Sequence, residues 1–135
     1  MDILDDVSNA IINASTTLTD DKRNALRRAI SNEDNENAKW ALEMILENYQ
    51  VGEKNRFPLC DDTGIPHVII ELGHERQITG ELINQIHEGI YLGLNNLPAR
   101  PMAVKGAEVE RIEQSKGLYE KPGMLRSASI LIDNV

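Results

Sequence analysis

A stretch near the middle of the chain, residues 57–66, cannot form a continuous helix. Pro58 and Pro66 lie near its two ends and Gly64 lies between them, and these residue types interrupt helices and favour turns. A β-branched run, Val68–Ile70, follows directly. The sequence therefore predicts a turn-rich loop that leads into a strand, which limits the fold to classes that mix strands with helices.

The residues before this loop predict three amphipathic helices, because apolar side chains recur every three or four positions. The second helix is expected to begin after Thr19, a suitable N-cap residue, and the third to end at Gly52. We expect the three helices to pack together. Trp40 lies off the apolar stripe of the third helix and is available for contact with a neighbouring domain or subunit. That stripe consists of Ala38, Ala41, Leu42, Ile45, Leu46 and Tyr49.

The second half of the chain predicts a buried strand at Val68–Leu72 and a helix from Thr79 to about Leu94. A further apolar strand is predicted at residues 128–132, close to the last residue. Because the backbone groups of a strand need partners, we expect that more sheet follows, either in a longer polypeptide or in another chain.

The predicted fold class is therefore α+β, with an N-terminal helical layer, a strand–helix unit and a C-terminal strand. Residues 1–135 are predicted to form a single but incomplete domain. Residues 1–56 are its mainly helical part, and residues 57–135 are its α/β part with the loop.

Composition limits the classes of function. The hydrophobic fraction is 41% and the charged fraction is 27%, values that are typical of a soluble globular protein. A formal net charge of −8 argues against binding to nucleic acid or to an anionic membrane surface. The single cysteine, Cys60, cannot form an internal disulfide, and the first residues are acidic where a targeting peptide is basic. We therefore predict a cytoplasmic protein.

The loop concentrates the polar groups that could carry chemistry. Cys60, Asp61, Asp62 and Thr63 are consecutive. Carboxylates beside a thiol disfavour the thiolate, which is the nucleophilic form, whereas a coordinated metal ion deprotonates a thiol outright. The local chemistry favours a metal ligand at Cys60 over a free nucleophile. An inert buried thiol is the alternative.

Arg100 is the second candidate, because Pro98 and Pro101 on either side restrict its backbone. A guanidinium held in this way could bind a carboxylate through paired hydrogen bonds, and the alternative is a solvated surface arginine. The three histidines do not have metal-ligand spacing with Cys60 and are predicted to be structural or exposed. They are His67, His74 and His87.

The segment Pro58–Pro66 and the following Val68–Gly73 resemble class I, iron–sulfur-dependent fumarate hydratases and L(+)-tartrate dehydratases. In that family proline, an apolar residue, cysteine, glutamine, aspartate, threonine and glycine lead into a strand. A helix with glycine and tyrosine near its end follows, as in Gly89–Tyr91, and then an arginine, to which Arg100 aligns. The resemblance covers about residues 45–100 and corresponds to the N-terminal part of an α subunit or α domain.

The resemblance implies a [4Fe–4S] cluster held by three cysteines, of which Cys60 would be the first. Asp62 would be catalytic in proton transfer, and Asp61, Thr63 and Arg100 would bind substrate. The implied reaction adds water to, or removes it from, a small dicarboxylic acid such as fumarate, malate or tartrate. The implied partners are a β subunit or β domain, within an oligomer.

Two departures from the family pattern have consequences. Asp61 stands where the family usually has glutamine, which places an anion near an anionic substrate. The chain holds one of the three expected cysteines and lacks the β side, so hydro-lyase activity is expected only when further sequence or a β subunit completes it. The alternative functions are a non-catalytic, shortened paralogue that binds a partner or acts as a scaffold, and a mononuclear metal or small-acid module built from Cys60, Asp61 and Asp62.

Overall fold

The computed structural model describes residues 2–60, 65–97, 119–125 and 129–135. Within these ranges the chain forms four α-helices, one short 3-10 helix and two strands. The predicted α+β class, with helices first, then a strand–helix unit and a C-terminal strand, is confirmed. The elements in chain order are α1 (Ile3–Thr16), α2 (Asp20–Asn32), α3 (Glu36–Asn55), β1 (Ile69–Leu72), α4 (Gly80–Asn96), the 3-10 helix (Pro122–Met124) and β2 (Leu131–Asn134).

The two strands pair in parallel, with Ile69 opposite Leu131 and the register continuing to the ends of both strands. The predicted C-terminal strand is confirmed, but it begins at Leu131 rather than at residue 128. The prediction that β1 is buried is wrong. Ile69 is 66% exposed and Leu131 is 60% exposed, whereas Ile70 faces the core, so the helices that the structure describes cover one side of the sheet.

The core lies between α4 and α1. Helix α4 contributes Ile86, Ile90 and Leu94, all at most 6% exposed, and Leu125 packs against them after the 3-10 helix. From α1, Val7 and its neighbours Ile3 and Ile11 pack against this cluster. The helix predicted from Thr79 onward is confirmed: Thr79 is its N-cap, and the Thr79 Oγ1 atom accepts a hydrogen bond from the Leu82 N–H at 3.1 Å.

The expectation that the first three helices pack together is wrong, because α1 pairs mainly with α4 and α2 pairs with α3. Two glycines on α4 explain the first pairing. A Cβ atom added at Gly89 would lie 2.7 Å from the Leu4 carbonyl oxygen, and one added at Gly93 would lie 2.8 Å from the Ile11 Cβ atom. Their missing side chains therefore allow the backbone of α1 to approach α4 closely.

Helices α2 and α3 form a hairpin with little buried surface. None of the residues of α2, all of which the structure describes, is buried, and Gly52 is the buried residue of α3. The predicted end of α3 at Gly52 is wrong, because the helix continues to Asn55 and ends where Arg56 adopts the left-handed conformation, with φ 54° and ψ 38°. Of the predicted stripe, Ala41 and Ile45 are exposed.

Candidate functional site

Cys60 is an exposed, free thiol that follows the end of α3. The segment that carries it runs past the last turn of α1, where the Leu59 N–H donates a hydrogen bond to the Ser15 carbonyl oxygen at 3.0 Å. Leu59 also lies over Gly52, because a Cβ atom added at Gly52 would lie 2.9 Å from the Leu59 Cδ2 atom. The backbone immediately before Cys60 is thus held between the C-terminal ends of α1 and α3.

The left-handed turn at Arg56 sets the direction of this segment. The Phe57 N–H donates to the Gly52 carbonyl oxygen at 2.9 Å, and the Arg56 N–H donates to the Glu53 carbonyl oxygen at 3.2 Å. These bonds satisfy carbonyl groups that the end of a helix would otherwise leave unpaired. The Arg56 side chain donates to the Asn13 Oδ1 atom at 3.4 Å, a second link between α3 and α1.

A half-buried ion pair ties α2 to the same region. The Arg23 Nη2 atom donates to the Glu53 Oε1 atom at 2.7 Å and to the Leu18 carbonyl oxygen at 3.0 Å. The same Glu53 oxygen accepts the Leu18 N–H at 2.8 Å. The hydrogen bond from Arg23 lowers the pKa of Glu53 from its ordinary value, and Glu53 in turn raises the pKa of Arg23.

Cys60 opens onto a cleft of about 620 Å³ between α1, α2 and α3. Lys22 is the charged side chain among the residues that line it, and Tyr49, Thr17 and Thr19 bring hydroxyl groups. The full lining is Asn13, Ala14, Thr17, Leu18, Thr19, Lys22, Tyr49, Leu59 and Cys60. The cleft thus combines a largely apolar lining with one cationic residue, three hydroxyl-bearing residues and the exposed cysteine.

A second, smaller cleft of about 270 Å³ is lined by Ile65, Pro66 and His67 together with Ile11, Ala14, Ser15 and Leu94. Ala14 lines both clefts. Cys60 and Ile65, which flank residues 61–64 in the sequence, therefore both border open space beside the last turns of α1.

Of the predicted site residues, Cys60 is the one that the structure places. Asp61, Asp62 and Thr63 lie outside the described residues, and so does Arg100. Their proximity to Cys60 remains a prediction.

The prediction that the histidines are structural or exposed is confirmed. His67, His74 and His87 are all exposed, and the His74 Nδ1 atom lies 3.2 Å from the Asn134 Oδ1 atom at the end of the sheet. Among the described residues, no group of three or more His, Cys, Asp or Glu side chains is arranged to hold a metal ion. Within the same residues, no helix combines the length and apolar character needed to cross a membrane.

Sequence reasoning missed the residues that share the cleft with Cys60. Lys22 and Tyr49 lie far from Cys60 in the sequence, and local patterns assign Tyr49 to a helix core and Lys22 to a solvated surface. The pairing of α2 with α3 brings them to the cleft that Cys60 also lines. No signal in a single sequence reveals that pairing.

Comparisons with known proteins identify the family of the chain. A family model described as fumarate hydratase (Fumerase) matches residues 4–130. A protein of Methanocaldococcus jannaschii named "Putative L(+)-tartrate dehydratase subunit alpha" is 32% identical over 120 residues, which cover 87% of this chain and 42% of the relative. The chain thus spans less than half of the length of that relative. The resemblance drawn from the cysteine loop is confirmed, and the chain belongs to the fumarate hydratase family.

Proposed function

We propose that this chain is part of an iron–sulfur hydro-lyase that adds water to, or removes it from, a small dicarboxylic acid, either fumarate and malate or tartrate. The observation that carries the proposal is the family match across the cysteine loop together with the exposure of the Cys60 thiol on a cleft. A thiol sealed in an aliphatic core could not reach a cluster or a substrate.

A [4Fe–4S] cluster is held by thiolates, and the surroundings of Cys60 fit one such ligand. The thiol is exposed, and the preceding residue is fixed by its hydrogen bond to α1. Cys60 is the single cysteine of the 135 residues, so two more thiolates have to come from further polypeptide. When bound, such a cluster supplies a Lewis acid that polarises the substrate hydroxyl and an adjacent carboxylate.

The remaining loop residues are assigned to the substrate. Asp62 would exchange a proton with the carbon acid or with the water that is added, a role that suits a carboxylate beside the reacting atoms. Thr63 would donate a hydrogen bond to a substrate oxygen, and Arg100 would bind a substrate carboxylate through two parallel hydrogen bonds. Asp61 would lie near the same anion and weaken its binding.

The cleft adds a feature that favours an anionic substrate. Lys22 and Cys60 line the same cleft, so a dicarboxylate that enters the cleft would approach a residue that carries a positive charge. This local charge opposes the net charge of −8 of the whole chain, because distant charges are screened by salt more strongly than a near one.

The active protein is proposed to contain more than this chain. We assign residues 1–135 to the N-terminal portion of an α domain that is completed by further polypeptide and by a β subunit or β domain, within an oligomer. The relative's printed name, which describes a subunit alpha, supports the division into subunits. A cytoplasmic location is proposed because a free, exposed thiol suits a reducing compartment.

The test is an anaerobic assay of the complete α polypeptide produced together with its β subunit. Fumarate hydration and the dehydration of malate and tartrate are measured for the wild type and for Asp62→Asn. The wild type is expected to turn over one of these acids, and the variant is expected to lose at least about 100-fold in kcat, the typical contribution of a positioned acid or base.

Asp133→Asn serves as the matched control, because it removes an exposed carboxylate on β2 and should leave kcat unchanged. A folded, fully assembled protein without activity on any of these acids would contradict the proposal and favour a partner-binding or scaffold role. Equal losses in Asp62→Asn and Asp133→Asn would contradict the role given to Asp62.

A further inference from the structure

Gly52 is the buried residue of α3 and lies in the last turn of that helix. Its φ angle is negative, so the backbone at this position is open to residues other than glycine. Glycine is also much less favourable than alanine in the interior of a helix. The reason for a glycine at this position therefore lies in the residues that surround it.

The space beside Gly52 is occupied by the residue that precedes the cysteine. A Cβ atom added at Gly52 would lie 2.9 Å from the Leu59 Cδ2 atom and 3.4 Å from the Phe57 carbonyl oxygen. The first distance is shorter than the ~3.5–4.0 Å at which carbon atoms pack. Leu59 is half-buried in this position. The missing side chain at Gly52 thus allows Leu59 to pack directly against the backbone of α3.

Two backbone hydrogen bonds hold the same segment. The Phe57 N–H donates to the Gly52 carbonyl oxygen at 2.9 Å, and the Leu59 N–H donates to the Ser15 carbonyl oxygen at 3.0 Å. Leu59 therefore contacts α3 through its side chain and α1 through its backbone. If the side chain is pushed away from α3, the bond from the Leu59 N–H to α1 has to lengthen or bend.

Cys60 follows Leu59 directly. Consecutive Cα atoms are held about 3.8 Å apart by the peptide bond, so a displacement of Leu59 is passed on to Cys60. Both residues line the cleft between α1, α2 and α3. The contact between Gly52 and Leu59 therefore bears on where the thiol lies relative to that cleft.

We propose that Gly52 is a positioning residue for Cys60: the space that it leaves determines how closely Leu59 packs against α3, and Leu59 in turn determines the position of the thiol. The consequence for a cluster rests on the proposed function, in which Cys60 shares the iron with further cysteines. A set of binding groups has to be held within about 0.5 Å of its working geometry. A shift of Leu59 should therefore weaken the retention of iron.

The contact predicts that side-chain volume can be exchanged between the two positions. Gly52→Ala adds a methyl group where Leu59 lies and should push the segment away from α3. Leu59→Ala removes the group that rests on Gly52 and leaves a gap. In the double variant the methyl group at position 52 fills that gap, so the segment should return close to its original place. Such compensation identifies a direct coupling between two residues.

The test uses the complete α polypeptide with the proposed β subunit, as wild type, as each single variant and as the double variant. Hydrogen–deuterium exchange of the peptide that spans Phe57–Cys60 is measured before iron is added, and it reports the two backbone hydrogen bonds. Each single variant should exchange there roughly tenfold faster than the wild type. After anaerobic reconstitution, each should also lose iron to a chelator about tenfold faster. The double variant should recover both properties.

Gly89→Ala is the matched control, because it makes the same substitution in another helix. The added Cβ atom would lie 2.7 Å from the Leu4 carbonyl oxygen, near the opposite end of α1 from Ser15. This variant should lower the free energy of unfolding but leave the exchange of the Phe57–Cys60 peptide and the rate of iron loss unchanged. The comparison separates an effect on position from a general loss of stability.

Wild-type exchange and iron retention in Gly52→Ala would overturn the proposal, and so would a double variant that is no better than the single variants. Equally fast iron loss in Gly89→Ala would also overturn it. Leu59→Ala leaves the sequence of α3 intact and decides the matter if Gly52→Ala does not fold. If the wild type acquires no cluster, the proposed function fails, whereas the exchange rates alone then confirm or overturn the role of Gly52.

Discussion

The guanidinium group of Arg23 donates a hydrogen bond to the carboxylate of Glu53 at 2.7 Å, which joins the start of α2 to the last turns of α3. The same carboxylate oxygen accepts the Leu18 N–H, so a single side chain of α3 binds both α2 and the segment between α1 and α2. The Glu53 carbonyl oxygen accepts the N–H of Arg56, whose left-handed turn starts the segment that leads to Cys60. The ion pair therefore helps to hold in place the segment that leads to Cys60.

This ion pair predicts a specific dependence of stability on pH. The hydrogen bonds from Arg23 and Leu18 lower the pKa of Glu53 below its ordinary value of 4.5. A carboxylate with a lowered pKa in the folded state contributes stability above its unfolded pKa and loses it as the pH falls through the folded value. The difference in free energy of unfolding between the wild type and Glu53→Gln should therefore be constant above about pH 5 and shrink below it.

Urea denaturation over a pH series measures this difference. Glu43→Gln is the matched control, because it makes the same change at an exposed position of the same helix, and its free energy of unfolding should follow that of the wild type at every pH. If the free energy of unfolding of Glu53→Gln differs from that of the wild type by the same amount at low pH as at neutral pH, the ion pair does not stabilise the fold.

Because α1 packs closely against part of α4, replacing a glycine of α4 by alanine should lower stability at the contact and not elsewhere in the helix. Gly89→Ala or Gly93→Ala inserts a Cβ atom within 2.9 Å of backbone atoms of α1, and should destabilise the protein by about 1–3 kcal/mol. At Gly80 no atom from elsewhere in the described residues lies within 4 Å of the added Cβ, so Gly80→Ala should be neutral or stabilising by up to about 1 kcal/mol.

Thermal and denaturant unfolding of the three variants measures these values. If Gly89→Ala and Gly93→Ala are as stable as Gly80→Ala, the backbone of α1 does not approach α4 as closely as the structure describes.

The exposure of Cys60 predicts a reactive thiol whose replacement leaves the fold intact. A soluble aromatic disulfide should modify the thiol in the native protein nearly as fast as in denaturant, because the side chain is exposed. Cys60→Ser should change the free energy of unfolding by less than about 0.5 kcal/mol. Protection of the thiol in the native state, or a large loss of stability in the variant, would indicate a buried thiol instead.

Replacement of Asp61 by glutamine should raise the affinity for the substrate. In the assembled enzyme, Asp61→Gln removes an anion near the proposed dicarboxylate site, and should lower KM about fivefold with kcat unchanged, since one like-charge contact near water is worth about 1 kcal/mol. Steady-state kinetics measure both constants, with Asp133→Asn as the control for net charge. An unchanged or higher KM would show that Asp61 does not face the substrate.

Features that depend on neighbouring residues could be predicted from the sequence. The helix that begins after Thr79 could be predicted, because capping and helical periodicity are local properties. The end of α3 was missed, since a glycine often ends a helix, whereas Gly52 here makes room for Leu59. That role depends on a residue beyond the helix.

Features that depend on which elements meet could not be predicted. Gly89 and Gly93 are visible in the sequence, but only the position of α1 explains why these sites have no side chain. Arg23 and Glu53 are 30 positions apart, and neither has a local pattern that identifies its partner. The family could be identified from the loop itself, where consecutive residues carry the signal, whereas the cleft beside Cys60 depends on three helices.

Iron binding by Cys60 tests the central claim most directly. The complete α polypeptide and the proposed β subunit are reconstituted anaerobically with iron and sulfide, as wild type and as Cys60→Ala, and protein-bound iron, sulfide and visible absorbance are measured alongside circular dichroism. The wild type is expected to acquire a cluster, and Cys60→Ala is expected to remain folded and assembled but to lose it. A wild type that binds no iron, or a variant that keeps the same cluster, would contradict the account.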